Sequence, residues 1–267
     1  MHREITGFSN PLVKQVKGLR DKKNRRAEGL FLAEGLRILA EALDAGIPPK
    51  MLWHAADSAA HPLVQKLANA TEAAGGDVLV TSTDILSKLS GKDNPGAVIG
   101  VYREMLASLD SLDRTSSDIW LVAERLRDPG NLGTILRTGD AVGAGGLILV
   151  DECTDAFSVE AVRASMGAIF TQKVAVARWQ EFQAWLRSGP GQLVGTSLNT
   201  SNDYQDPRYE APTFLLIGNE SQWLPEAYER ECDLLVKIPM LGKADSLNAA
   251  MATAVMAYEV LNQRRRR

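Results

Sequence analysis

With 267 residues, 45% of them apolar and 24% charged, the chain has the composition of a globular protein long enough for two hydrophobic cores. No apolar run could span a bilayer and no basic start leads into an apolar stretch, so neither a membrane span nor a signal peptide is expected and the protein is read as cytoplasmic. Net charge is −3, yet Lys14, Lys17, Arg20, Lys22, Lys23, Arg25 and Arg26 crowd one short stretch opposed only by Asp21, and Arg264 to Arg267 close the chain. Cations packed this closely repel one another unless a polyanion compensates, so the N-terminal cluster is read as phosphate contact; the terminal arginines read equally well as a solvated tail. Cys153 and Cys232 form no CxxC or Cys/His cluster, which speaks against a zinc site or a disulfide framework. His2, His54 and His61 all fall in the first quarter, away from the polar loops described below.

In chain order, Ser9 or Asn10 caps a first helix with Pro11 at its first position and Leu12, Val13, Val16 and Leu19 on one face. A strand follows at 29–34, then a helix through Leu36, Leu39 and Leu43 that Gly46, Pro48 and Pro49 stop. Strands at 51–54, 78–81 and 97–102 alternate with helices at 63–74 and 85–89, the pattern of a small α/β layer structure. From 107 to 117 the periodicity lapses into Ser, Asp and Thr, which marks a linker between a domain at 1–106 and a second at 118–267. The second domain has expected strands at 119–123, 146–150, 173–177, 193–197, 214–217 and around 234–238. Its expected helices start at Pro129, run over 159–166 and 180–186, turn after Pro225, and follow Ser246 as cap to the C-terminus.

Three of these strands run into polar, glycine-containing loops: LVAERLRDPGNLGTILRT from Leu121, FLLIGNESQWLP from Phe214, and VKIPMLGKADSLNAAM from Val236. Loops of this kind meeting at one sheet edge make a ligand site. Asp128 to Asn131 open a helix whose free N–H groups suit an anion, and Arg137 can fork two hydrogen bonds onto a phosphate; the structural alternative pairs Arg137 with Glu124 or Asp140. Gly218 lets a ligand approach the backbone, Glu220 places a carboxylate at a strand end, and Trp223 either stacks on a base or fills space.

The order NLGTILRT, LLIGNE and IPMLGKADSLN resembles the three motifs of the SpoU/TrmH-type RNA ribose 2′-O-methyltransferases of the SPOUT superfamily. The resemblance covers about the last 150 residues. It implies an α/β SPOUT domain with a deep trefoil knot, preceded by a small α/β substrate-binding domain similar to a ribosomal-protein fold. It implies S-adenosyl-L-methionine as cofactor, no metal, a structured RNA substrate with ribosomal RNA favoured over transfer RNA, no DNA, and a homodimer whose active site draws on both subunits. By position, Arg137 and Asn131 match the residues that activate and orient the ribose hydroxyl, Glu220, Ser246 and Asn248 complete the reacting set, and Thr196, Gly218, Ile238, Met240 and Leu247 surround the cofactor. The sequence departs from the family pattern after Glu220, where Ser221, Gln222 and Trp223 stand in place of a small residue and a glycine.

Other readings stay open from the residues. A dinucleotide fold is disfavoured because Gly143, Gly145 and Gly146 follow a helix and precede a strand, the reverse of the order that motif requires. Transfer-RNA ribose methylation, a SPOUT enzyme acting on a base nitrogen, and a non-catalytic RNA-binding protein of the same fold are separated by experiment.

Overall fold

The computed structural model describes residues 2–219 and 224–266. The chain forms two compact units, one of residues 1–104 with 157–171, the other of 105–156 with 172–267.

In the first unit β1 (His2–Ile5), β2 (Leu30–Glu34), β3 (Met51–Ala55), β4 (Asp77–Thr81) and β5 (Val98–Arg103) form a sheet of order β1-β4-β3-β5-β2. β1, β4 and β3 pair in parallel; β5 pairs antiparallel with both β3 and β2. Helices α1 (Pro11–Gly18), α2 (Lys22–Glu28), α3 (Leu36–Asp44), α4 (Pro62–Ala73) and α5 (Thr83–Ser90) connect or flank the strands. Asn10 caps α1 by accepting from the Leu12 N–H at 2.9 Å, which leaves Val13, Val16 and Leu19 to pack against Ile85, Leu86 and Leu89. The charged stretch is itself a helix, α2, capped by Asp21; with no apolar periodicity it reads from sequence only as a charge run. One member of the cationic cluster corrects the phosphate reading. Arg25 is 3% exposed, and its guanidinium donates to the carbonyls of Leu19 and Arg20 at 2.9 and 2.8 Å.

The second unit is one parallel sheet of order β12-β10-β11-β7-β8-β9-β6. In chain order its elements are β6 (Leu106–Ala107), β7 (Ile119–Glu124), α6 (Pro129–Val142) and β8 (Gly146–Val150). After α7 (Val159–Ser165), which belongs to the first unit, come β9 (Lys173–Ala177), α8 (Trp179–Arg187), β10 (Gln192–Thr196), β11 (Thr213–Ile217), α9 (Glu226–Glu229), β12 (Leu234–Val236) and α10 (Ala249–Arg265). β7, β8 and β11 are buried along their whole length, as a parallel sheet covered on both faces requires. From the central β7 the chain builds outward through β8 and β9 on one side and returns through β11, β10 and β12 on the other, so the strand order reverses between β7 and β11. That is where open α/β sheets bind ligands.

Two boundaries differ from those read in the sequence. The stretch 107–117 is built into the second unit: Ala107 lies in β6, Leu112 is buried, and the Arg114 guanidinium sits 4.1 Å over the Trp185 ring while donating to the carbonyls of Trp185 and Leu186. Residues 157–171, which join β8 to β9, pack with the first unit. Phe157 lies 4.9 Å from Phe31 and Phe170 lies 4.6 Å from Tyr102, centroid to centroid. Beside them Glu34, whose side chain is 9% exposed, pairs with Lys92 at 2.7 Å and Arg163 at 3.5 Å and accepts from the Gly96 N–H at 2.9 Å. Glu34→Gln leaves two cations short of a partner in a partly desolvated site and is expected to lower stability by about 1–3 kcal/mol, measured by urea unfolding at neutral pH.

Candidate active site at the carboxyl edge of the second sheet

β10 pairs with both β11 and β12, and β11 with β7, so the loops after these strands emerge side by side. They enclose two adjoining cavities of about 50 and 40 Å³ that share Thr196, Ser246, Leu247 and Ala252. Ile238 and Met240 line the first; Ile217, Gly218 and Leu224 line the second. Thr196, Gly218, Ile238, Met240 and Leu247, which belong to three separate loops of the sequence, thus lie in one place. Between 238 and 247 no backbone N–H finds a backbone acceptor among the described residues. Free main-chain donors beside apolar walls suit a ligand with a flat heterocycle and polar edges, so the chemistry of this set matches that of an adenosyl group.

Next to these cavities two helix starts are tied together. Asn248 Nδ2 donates to Asn131 Oδ1 at 2.9 Å, joining the N-terminus of α10 to that of α6. The cap of α10 is Asn248, whose Oδ1 accepts from the N–H groups of Ala250 and Met251. This corrects the expectation of Ser246 in that role: Ser246 lies two residues earlier and lines both cavities. Asp128 caps α6 through the Asn131 N–H at 2.6 Å, as the turn chemistry of 128–131 predicts. Asn248→Ala removes a helix cap together with the link between helices and is expected to cost about 1 kcal/mol in denaturant unfolding.

Six residues beyond Asn131, Arg137 is exposed and makes no hydrogen bond or ion pair with another described residue. The pairing with Glu124 or Asp140 that a purely structural role would need is not formed; Glu124 instead faces Arg125 Nε at 3.4 Å. Glu220, Ser221, Gln222 and Trp223 lie outside the described residues. Burial holds the Glu124 carboxyl above its ordinary range against the opposing pull of Arg125. Burial also pushes the free Cys153 and Cys232 thiols up to about 11 and 12, so both are protonated at neutral pH and unsuited to nucleophilic work.

In the first unit a separate concavity of about 630 Å³ gathers Lys14, Lys17, Arg20, Lys92 and Arg163 against Asp21 and Glu160, with Glu34 paired to Lys92 and Arg163. Such a surplus of cations suits a sugar–phosphate backbone. Lys92 and Arg163 were not legible as part of it, since they lie far along the chain from the N-terminal cluster and join it only in the fold. Arg20 reaches it across Gly91, where any Cβ would come within 2.2 Å of the guanidinium.

The pattern of the SpoU rRNA Methylase family matches residues 118–258, and that of the MRM3-like substrate binding domain matches residues 10–100. A 23S rRNA (uridine(2479)-2′-O)-methyltransferase of Streptomyces viridochromogenes is 32% identical over 98% of this chain and 93% of its own. A 23S rRNA (guanosine(2553)-2′-O)-methyltransferase of Bacillus subtilis, RlmP, is 29% identical over 97% of this chain and 99% of its own. The AdoMet-bound rRNA methyltransferase of Sinorhizobium meliloti superposes with a TM-score of 0.91 at 40% identity, over 99% of this chain and 98% of that one. With Thr196, Gly218, Ile238, Met240, Ser246 and Leu247 lining adjoining cavities beyond the ends of β10, β11 and β12, and with matches running nearly end to end, this chain belongs to the SpoU rRNA methylase family.

Proposed function

We propose that the protein is an S-adenosyl-L-methionine-dependent methyltransferase that modifies ribose 2′-hydroxyls of ribosomal RNA. The observation that carries this reading is the meeting of the paired cavities with the Asn131–Asn248 link at one sheet edge. When bound, the cofactor supplies a methyl group made electrophilic by its sulfonium. Thr196, Gly218, Ile238, Met240 and Leu247 hold the donor, and the free amides of 238–247 fix its polar edges. Asn131, its amide oriented by Asn248, positions the hydroxyl. Arg137, an always-charged side chain with no protein partner among the described residues, places positive charge where the hydroxyl loses its proton, on the adjacent phosphate or beside the oxygen itself. A guanidinium is too weak an acid to serve easily as a literal base, so its contribution is electrostatic. Ser246 and Glu220 complete the reacting set.

The trefoil threading belongs to the same reading. Residues 198–212 are tied to the end of β12 through the Lys237 N–H and the Asn202 carbonyl, and to the end of α10 through Gln263 and Arg264, as expected of a loop with the C-terminal segment passed through it. A homodimer is supported by apolar side chains left open on α10: Met251 is 62% exposed and Tyr258 46%. Met251→Glu is expected to shift the protein from dimer to monomer in light scattering. No helix among the described residues is long and apolar enough to cross a membrane, and we place the protein in the cytoplasm with its substrate.

Methyl transfer from labelled cofactor, with deproteinised ribosomal RNA and transfer RNA in separate reactions, tests the substrate assignment. Label is expected in the ribosomal pool; label confined to transfer RNA would overturn that choice.

A further inference from the structure

Beyond the paired cavities, the same sheet edge carries a larger cleft of about 950 Å³ over the carboxyl ends of β7, β8 and β9. Asn219 lines both this cleft and the second cofactor cavity, and its amide donates to the Arg125 carbonyl at 2.7 Å, so one side chain separates the two spaces. Arg125 and Asp151, which follow β7 and β8 on the cleft wall, hold left-handed backbone angles of φ 45 and φ 60. Non-glycine residues rarely adopt these, and they concentrate where a site over-determines its geometry.

The chemistry of the lining is specific. Tyr228 borders the cleft with one ring face covered by Trp179, at a centroid distance of 3.8 Å and an interplanar angle of 6°. Its hydroxyl donates to Asp151 Oδ2 at 2.7 Å, while Asp151 Oδ1 accepts from the Trp179 N–H at 3.0 Å. The next residue, Glu229, is buried and accepts from Ser197 and Asn199, which pins α9 in place. Tyr228 is therefore an aromatic ring fixed in position before anything binds. Around it stand Arg125, Arg127 and Arg178, balanced by Asp151, Glu152 and Glu181. A site for bare phosphate would carry a surplus of cations, as the concavity in the first unit does. A balanced set of guanidiniums, carboxylates and amides beside an aromatic ring matches the donors, acceptors and π-face of a nucleobase.

We propose that this cleft is a base-binding pocket for the RNA strand, in which a nucleobase at or next to the methylated nucleotide stacks on Tyr228 while Arg127 and Arg178 engage its edge or flanking phosphates. The inference rests on the methyltransferase reading and adds the surface that holds the acceptor strand beside the donor pocket. Tyr228 acts as a positioning residue.

The test compares Tyr228→Leu and Tyr228→Phe with the wild-type protein, using full-length chains, deproteinised ribosomal RNA and labelled cofactor. Tyr228→Leu removes the stacking ring and is expected to lower kcat/KM for the RNA by about tenfold or more with cofactor Kd unchanged. Tyr228→Phe keeps the ring, drops only the bond to Asp151, and is expected to stay within about threefold of wild type. A second variant, Arg178→Gln, is expected to raise KM for the RNA without altering thermal stability. If Tyr228→Leu transfers methyl groups as efficiently as the wild type, the pocket assignment is wrong while the methyltransferase reading stands. The pocket assignment is equally wrong if both tyrosine variants lose cofactor affinity in parallel with activity. If the wild-type protein itself methylates no RNA, the underlying reading fails instead.

Discussion

Arg137→Ala is expected to reduce methyl transfer to ribosomal RNA by roughly 10²–10³-fold while cofactor Kd stays within about twofold of the wild-type value. The split follows from placement. Arg137 lies on α6, outside both cavities whose lining residues are proposed to hold the donor, and has no partner among the described residues whose loss would disturb the fold. An exposed, unpaired arginine contributes little to stability, so the variant should melt as the wild type does. On the proposed role, its positive charge acts when an RNA hydroxyl beside it begins to lose a proton, and removing charge aimed at the transition state lowers kcat more than it raises KM. Arg137→Lys keeps the charge and loses the planar fork, so the degree of rescue separates point-charge stabilisation from bidentate phosphate binding. Parallel loss of cofactor binding and activity in Arg137→Ala would remove the catalytic assignment.

The largest stability effect is expected from Phe214→Ala in β11, at about 3–5 kcal/mol in denaturant unfolding. Phe214 is fully buried, stacks on Trp120 at 6.0 Å, and meets the rings of Phe182 and Trp185 at 6.5 and 5.6 Å. Removing the ring opens a cavity among rigid neighbours that have no small rotamer change with which to fill it. The loss also reaches function, because β11 delivers Gly218 and Asn219 to the site. Cofactor affinity should fall in the folded fraction of Phe214→Ala but not of Val142→Ala, which trims α6 at its far end from Asn131. A loss below about 1 kcal/mol for Phe214→Ala would mean that this aromatic cluster is not the rigid core described above.

Much of the second unit was legible in the sequence because its physics is local. Continuous apolar runs mark the buried parallel strands, Asp128-Pro129 announces the start of α6, and each glycine-bearing loop follows a strand end. What was missed depends on distance or on masking by charge. α2 is a helix without an apolar stripe, held by the Asp21 cap and the inward-turned Arg25, so periodicity could not find it. β1 and β6 are short strands at the edges of their sheets, defined by partners far along the chain. The placement of 157–171 with the first unit depends on Phe157 and Phe170 meeting Phe31 and Tyr102, a pairing no sequence window contains. Ser246 and Asn248 are residue types that can each cap the same helix, and the geometry chose the second, leaving the Ser246 side chain to line the cavities. Tyr228 carries no motif; its neighbours Trp179 and Asp151 come from separate elements, and only their convergence gives the ring its fixed pose.

Whether the paired cavities and the Asn131–Asn248 link direct a methyl group to a ribose oxygen is tested most directly by the chemical position of the label after the wild-type protein has methylated ribosomal RNA. A 2′-O-methyl group blocks alkaline cleavage of the adjacent phosphodiester, so the label is expected to survive complete alkaline hydrolysis in a dinucleotide. Label released wholly in mononucleotides would place the methyl on a base and contradict ribose methylation.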